Sequence, residues 1–386
     1  MKWKEYSLDE LIHIKHGYAF KGEFFSEEPT DDILLTPGNF AIGGGFKAQK
    51  LKYYNGEFPV DYILDENDVI VTMTDLSKEA DTLGFSAKVP AWYGKRFLHN
   101  QRIGLVKLKT DDFDKDYLYW LMRTFSYQRF VANGATGATV KHTSPTKICQ
   151  YKFIAPDDKT TQRKIASILS AYDDLIENNL KRIKLLEEKA FVSYKLLVKS
   201  EKFLTKAFSE VADFINGYPF KPGDWKEEGL PIIKIKELKA GVQNDTPRND
   251  GENIPEKYFI ENKDILFAWS ASIGAYLWCS GKSILNQHIF NVKPFDKDLH
   301  NWLYFSLLEK IPDFINLSNG ATMQHIKKSA LGMVYLPVPP KKIYEEFQKE
   351  TDPVLNLIVN LHQQNTKLRE ARDILLPKLM NGQIEV

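Results

Sequence analysis

The chain repeats itself over about half its length. His16-Gly17-Tyr18-Ala19-Phe20-Lys21 returns as Asn216-Gly217-Tyr218-Pro219-Phe220-Lys221, and Asn133-Gly134-Ala135-Thr136 returns as Asn319-Gly320-Ala321-Thr322. Between these anchors Asp68-Val69-Ile70 corresponds to Asp264-Ile265-Leu266, Asn100-Gln101-Arg102 to Asn286-Gln287-His288, and Leu118-Tyr119-Trp120 to Leu303-Tyr304-Phe305, in the same order. Solenoid units are far shorter, roughly 20–45 residues. A duplication this long predicts two similar globular units in one polypeptide, a pseudo-dimer.

Each copy opens with short β-rich segments and turn residues, such as Asp32-Ile33-Leu34-Leu35-Thr36-Pro37-Gly38 and Leu230-Pro231-Ile232-Ile233-Lys234-Ile235-Lys236. A helix is expected over Tyr117 to Phe130, with its counterpart over His300 to Glu309, before the Asn-Gly-Ala-Thr turn. The fold class is α+β (mixed α/β).

The character then changes. From Thr161 to about Lys199 there is neither Gly nor Pro, and Ile165, Leu169, Tyr172, Ile176, Leu180, Ile183, Leu186 and Ala190 recur at spacings of three and four. That rhythm makes the narrow apolar seam of a coiled coil. The second copy offers Phe347, Val354, Ile358, Leu361, Leu368, Leu375 and Leu379, with polar Asn365 and Arg372 interrupting. Thr351-Asp352-Pro353 reads as a cap with Pro in the first turn, so the main second helix is expected to begin there; a kink is the alternative. About 36 helical residues would span roughly 54 Å at 1.5 Å per residue. The economical arrangement is two similar globular domains separated by two long antiparallel helices, pseudo-twofold, with domains at 1–158 and 201–340 and helical spacers at 159–200 and 341–386. The alternative is that each helix folds back on its own domain.

The near-neutral net charge of +1 hides a segregation. Residues 1–85 carry 8 Lys/Arg against 16 Asp/Glu, whereas 86–152 carry 12 against 4. The second copy shows it faintly, with 7 against 10 over 207–260 and 7 against 6 over 261–340. Segregation along the chain need not become a basic face in space. The helical stretch 159–206 carries 11 against 6.

No catalytic constellation emerges. Gly281-Lys282-Ser283 has Tyr276 where a phosphate-binding loop needs its leading glycine, and Gly43-Gly44-Gly45 has Ala48 in place of a third nucleotide-binding glycine. Asp157-Asp158 reads as a helix cap rather than a nuclease acid pair. The histidines lack metal-ligand spacing, and Cys149 and Cys279 occupy unmatched places that suit buried free thiols. No stretch approaches the roughly 20 apolar residues of a membrane span, and the first residues lack a secretory apolar core, so a cytoplasmic protein is expected.

Two globular units, each followed by a long helix, with Gln162-Arg163-Lys164-Ile165-Ala166-Ser167-Ile168-Leu169-Ser170 at one helix start, the approach Leu336-Pro337-Val338-Pro339-Pro340 and the tail from Leu375 to Val386, resemble the specificity subunit of type I restriction-modification enzymes. The resemblance covers the whole chain. It implies that the globular units are target recognition domains for double-stranded DNA and that the helices dock methyltransferase subunits. It implies as partners two methyltransferase (modification) subunits, which bring S-adenosylmethionine, and restriction/translocase subunits, which bring ATP and Mg. This chain would carry no cofactor, no metal and no catalytic residue.

Phosphate and base-edge chemistry selects Lys, Arg, Asn, Gln, His and Thr in paired loops. The candidates are Lys95, Arg96, Asn100, Gln101, Arg102, Thr136, Lys141, His142 and Lys147 in the first copy. In the second they are Lys282, Asn286, Gln287, His288, Thr322, Gln324, His325, Lys327 and Lys328. Against this, Asn-Gln pairs commonly satisfy buried backbone groups, and basic loop residues are commonly solvated. Helix pairing falls to Ile165, Leu169, Tyr172, Ile176, Ile183, Leu186, Val354, Ile358, Leu361, Leu368, Leu375 and Leu379. The rivals are a protein-protein adaptor with duplicated domains and a bipartite endonuclease with cleavage built in.

Overall fold

The computed structural model describes residues 2–77, 79–243, 245–318 and 325–386. It divides into two compact units, Met1–Asp174 with Arg369–Val386, and Leu175–Leu368. Along the first unit run β1 (Trp3–Ser7), β2 (Ile12–His16), β3 (Asp32–Leu35), β4 (Val69–Thr72), β5 (Ser86–Lys88), β6 (Arg96–His99), β7 (Ile103–Leu108), α1 (Lys115–Leu121), α2 (Phe125–Asn133), β8 (Lys152–Pro156) and the start of α3 (Lys159–Ser200). A four-stranded antiparallel sheet takes the order β2-β7-β4-β5. A second sheet is built around the parallel pair β3 and β6, and β1 closes antiparallel on β8.

The second unit repeats this. Beyond the rest of α3 it contains β9 (Leu204–Ala207), β10 (Ala212–Asn216), β11 (Leu230–Ile233), β12 (Ile265–Ala268), β13 (Gly274–Leu277), β14 (Ser283–Leu285), β15 (Ile289–Pro294), α4 (His300–Asn316), β16 (Tyr335–Val338) and most of α5 (Lys341–Met380). The antiparallel sheet runs β10-β15-β12-β13, β11 lies parallel to β14, and β9 pairs with β16. The duplication seen in the residues is therefore a duplication of topology.

The matched strands β4 and β12 are buried on both faces, which is why they read as unbroken apolar runs. Val69 and Val71 enter one core while Ile70 enters the other. In the second unit Ile265 and Phe267 turn to one side, Leu266 and Ala268 to the opposite one. This is the period of two expected of an extended chain. The matched Asp residues before these strands act alike: Asp68 accepts from Asp65 N–H at 3.1 Å and pairs with Lys107, and Asp264 accepts from Glu261 N–H at 3.0 Å and pairs with Lys293.

The long helices pair antiparallel. In the first unit Ile165, Ala166 and Leu169 of α3 share a core with Leu376, Leu379 and Met380 of α5, with Leu375 packed alongside. In the second, Ile183 and Ala190 share a core with Phe347, Leu355, Ile358 and Leu361, and Leu186 and Val354 pack against it. Ile176 is buried, and Tyr172 and Leu368 are half-buried. Burial of such side chains is worth roughly 1.5–3 kcal/mol each.

Three expectations are corrected. The helix expected over Tyr117 to Phe130 breaks into α1 and α2, because Thr124 turns back to cap α2: its Oγ1 accepts from Tyr127 N–H at 3.3 Å and donates to Leu121 O at 2.7 Å. Its counterpart α4 runs on to Asn316, through Pro312. The second long helix does not begin at Pro353; α5 starts at Lys341 and passes through it. Pro353 and Lys349 are both exposed, so the missing N–H falls on the outer face of the helix, and the Thr351 hydroxyl bonds back to Phe347 O at 2.7 Å.

The seam also departs from the apolar rhythm. Leu180 is exposed, and Asn179 takes the inward position, where it meets Asn365. Arg372 meets Asp173 of α3 at 2.5 Å, and Asp173 also accepts from Arg123, whose guanidinium comes from the α1–α2 junction. In the second unit the polarity is reversed: Lys195 and Tyr194 of α3 donate to Glu309 of α4. Asp158 caps α3 by accepting from Thr161 N–H at 2.7 Å. The thiols of Cys149 and Cys279 are free, half-buried and buried.

Candidate nucleic-acid interface

The repeated glycine of the His/Asn-Gly-Tyr segment is where each site begins. A Cβ on Gly17 would lie 2.1 Å from the Asn100 carbonyl oxygen, and one on Gly217 would lie 2.3 Å from that of Asn286. Only glycine permits this approach. It lets Tyr18 N–H donate to His99 O at 2.8 Å while Tyr18 O accepts from Gln101 N–H at 2.9 Å. Tyr218 does the same between Leu285 at 2.7 Å and Gln287 at 3.1 Å. The Asn-Gln loop of each unit is thus fixed from one side.

A third segment joins that loop to the distant basic loop. In the first unit Met73 N–H donates to Arg102 O and Met73 O accepts from Thr143 N–H, both at 3.0 Å, while Thr74 and Asp75 pair with His142 and Lys141. Thr136 and His142 close the loop with reciprocal bonds of 2.9 and 2.8 Å. In the second unit Trp269 N–H donates to His288 O at 3.4 Å, Trp269 O accepts from Ile326 N–H at 2.8 Å, and Ser270 bridges to His325. Loops about forty residues apart in sequence therefore lie side by side, twice, by the same device.

Each cluster presents polar side chains. Gln101, Arg102, Thr136 and His142 are exposed and Lys141 is half-buried; His288, His325, Lys327 and Lys328 are exposed and Gln287 is half-buried. Asn100 and Asn286 are buried, and Asn100 Oδ1 accepts from Arg102 N–H at 2.9 Å, so this amide shapes the turn. Lys147 donates to Gly134 O. The His142 ring nitrogen Nδ1 lies 3.2 Å from the Thr74 hydroxyl. Thr322 and Gln324 lie outside the described residues, as does the loop Asn319-Gly320-Ala321-Thr322.

Lys95, Arg96 and Lys282 do not join the clusters. Lys95 and Arg96 stand at the opposite end of β6 from Asn100, where Lys95 pairs with Asp31 at 2.8 Å and Arg96 grips Asp32 through two bonds of 2.7 Å. Lys282 holds the matching place before β14 and lies 5.2 Å from the Phe259 ring centre. These pairs, with Lys107–Asp68, show what the charge segregation does: part of the basic stretch neutralises the acidic one within the fold.

Two titratable groups frame the first cluster. Burial pushes the His99 imidazole down to about 4, so it is neutral, with Nε2 2.8 Å from Ile103 O. Burial raises the Asp75 carboxyl, but bonds from Ser77 and Thr82 outweigh it and hold the group below the usual carboxylate range. Among the described residues no group of His, Cys, Asp and Glu could hold a metal ion. None of their helices is long and apolar enough to cross a membrane. Met73, Thr74, Asp75 and Trp269 are absent from the candidates read from sequence; extending the matched Asp68-Val69-Ile70 and Asp264-Ile265-Leu266 segments a few residues onward would have reached them.

A family model described as the type I restriction modification DNA specificity domain matches residues 1–188 and again 201–369. The chain belongs to this family. It is similar to the specificity subunit of the type I restriction enzyme MjaIX of Methanocaldococcus jannaschii, 24% identical over 311 residues that cover 70% of this chain and 69% of that one. It is 29% identical over 190 residues to the HindI specificity subunit of Haemophilus influenzae, covering 46% of this chain and 41% of the relative. Its fold matches the crystal structure of a type I restriction-modification S subunit from M. genitalium, with a TM-score of 0.57, 17% identity, and coverage of 98% and 96%. As a member of the family the chain is a DNA-specificity subunit and not itself a catalytic one.

Proposed function

We propose that each unit reads one half of an asymmetric, bipartite double-stranded DNA target, and that the clusters around Met73 and Trp269 are the reading surfaces. The observation that carries this is the duplicated scaffold with different side chains on it: Gln101, Arg102, Lys141 and His142 in one, Gln287, His288, His325 and Lys327 in the other. Arg, Lys, Gln and His donate to base edges and phosphates, so two scaffolds with different donors read different sequences. On this reading 1–158 and 201–340 are target recognition domains, and 159–200 and 341–386 form the spacer that sets the gap between half-sites.

The active sites belong to partners. Two methyltransferase subunits supply S-adenosylmethionine, and restriction/translocase subunits supply ATP and Mg, in the cytoplasm where the DNA lies. The face of α3 opposite its seam carries exposed Leu185, Val192 and Leu196, an apolar stripe suited to methyltransferase docking.

The test uses the full chain with its methyltransferase partner and a pool of duplexes with two randomised half-sites. Arg102→Ala should relax selection in one half-site only and His288→Ala in the other, with retention falling as salt rises. Retention that ignores sequence would leave the adaptor reading standing. Cutting by the chain alone with a divalent metal would favour the endonuclease.

A further inference from the structure

The segment Met73–Asp75 that joins the two loops of the first cluster leads directly into Leu76, whose side chain is 70% exposed. Bonds hold the chain on either side of it. The Asp75 carboxylate accepts from Ser77 N–H at 2.7 Å, Thr82 N–H at 2.6 Å and the Thr82 hydroxyl at 2.7 Å. Asp81 N–H donates to Ser77 Oγ at 2.9 Å, and Gln128 donates to Ala80 O at 2.8 Å. A large apolar side chain is thus held out in water on a braced loop, beside the strand pairing of Asp75 with Lys141 and the bond from Met73 to Arg102.

Its neighbours Arg102, Lys141 and His142 can serve phosphates and polar base edges. None of them matches the one apolar feature of the major groove, the C5-methyl group of thymine, which apolar side chains read by contact. We propose that Leu76 is an apolar reader of the first half-site, packing on a thymine methyl. This rests on the reading of the Met73 cluster as a DNA face. The reader is confined to one unit. Matching Thr74–His142 to Ser270–His325 puts Ser272 in the place of Leu76, and Ser272 Oγ accepts from Lys239 at 2.6 Å.

The experiment uses the full chain with its methyltransferase partner and duplexes carrying the selected target, in which thymines are exchanged one at a time for deoxyuridine. One exchange in the first half-site should weaken retention of the wild type roughly three- to fivefold, about the worth of one buried methyl group. Leu76→Ala should bind the unmodified target more weakly by at least that factor and no longer respond to that exchange. Unchanged selection at the second half-site shows that the variant is folded. The proposal is overturned if Leu76→Ala responds to every exchange as the wild type does, or if the first half-site contains no thymine. Absence of any sequence-dependent retention by the wild type would remove the reading of the cluster, and this proposal with it.

Discussion

Asn179 and Asn365 meet amide to amide inside the second unit: Asn179 Nδ2 donates to Asn365 Oδ1 at 2.9 Å, and Asn365 Nδ2 reaches Ile176 O at 3.4 Å. Both side chains are buried in a seam whose other positions are mostly apolar. Breaking one partner strands the other. Asn365→Leu is expected to cost about 1–3 kcal/mol, and Asn179→Leu with Asn365→Leu to recover most of it. Denaturant midpoints of the single and double variants measure the difference; additive losses would contradict the pairing.

Asp173 is the acid at the junction of Arg123 and Arg372. Burial raises its carboxyl, but the Arg123 and Arg372 guanidiniums outweigh this and hold it below its ordinary value of 3.8. Because the folded value is depressed, the stabilisation is present above the unfolded value and fades as pH falls through the folded one. Asp173→Asn should therefore be less stable than the wild type at neutral pH, with the gap narrowing below about pH 4. Arg123→Met, which leaves Asp173 and Tyr119 short of a donor, should cost roughly 3 kcal/mol or more. Urea titrations at stepped pH read both.

His99 titrates in the other window. Its folded value of about 4 lies beneath the ordinary 6.5, so the unfolded chain takes up a proton first. Stability is full above 6.5 and declines as pH falls toward 4, by up to roughly 1.4 kcal/mol per pH unit. His99→Gln should flatten that slope in a thermal melt followed from pH 7 to 5, whatever it does to the stability at pH 7.

Gly17→Ala and Gly217→Ala force a methyl into the carbonyl of Asn100 or Asn286. Each should destabilise its own unit by several kcal/mol, of order 3, and blunt selection in one half-site while sparing the other. Parallel loss in both half-sites would mean that the two clusters do not act separately.

Much of this plan could be read from residues alone, because duplication shows up as identity at positions where the backbone tolerates little else. Gly17 and Gly217 recur because a carbonyl lies against them, and Asp68 and Asp264 recur because each closes the turn before a central strand. The helical seam was legible for a different reason, the three-four spacing. Its polar pairing was not: Asn179 falls on that rhythm where Leu180 does not, but it carries no apolar signal, and its fitness for the seam depends on Asn365, nearly two hundred residues away. The same limit hid Met73 and Trp269. They differ in kind, contribute through backbone N–H and C=O, and leave no signature in side-chain chemistry. Lys95 and Arg96 stood out as basic loop residues, yet their acids, Asp31 and Asp32, are brought beside them only by the parallel pairing of β3 with β6.

The reversed polarity of the two helix junctions bears on how a doubled protein avoids confusing its own halves. In the first unit the globular side contributes the cation, Arg123, and the long helix the anion, Asp173; in the second the globular side contributes Glu309 and the helix Lys195. Matching Leu118-Tyr119-Trp120 with Leu303-Tyr304-Phe305 puts Leu308 in the place of Arg123 and Thr124 in the place of Glu309. Either globular part set on the other's stretch of helix would therefore leave Asp173 or Lys195 without its globular partner, at a part-buried contact. Each half of the repeat thus carries a key cut for its own place along the helices.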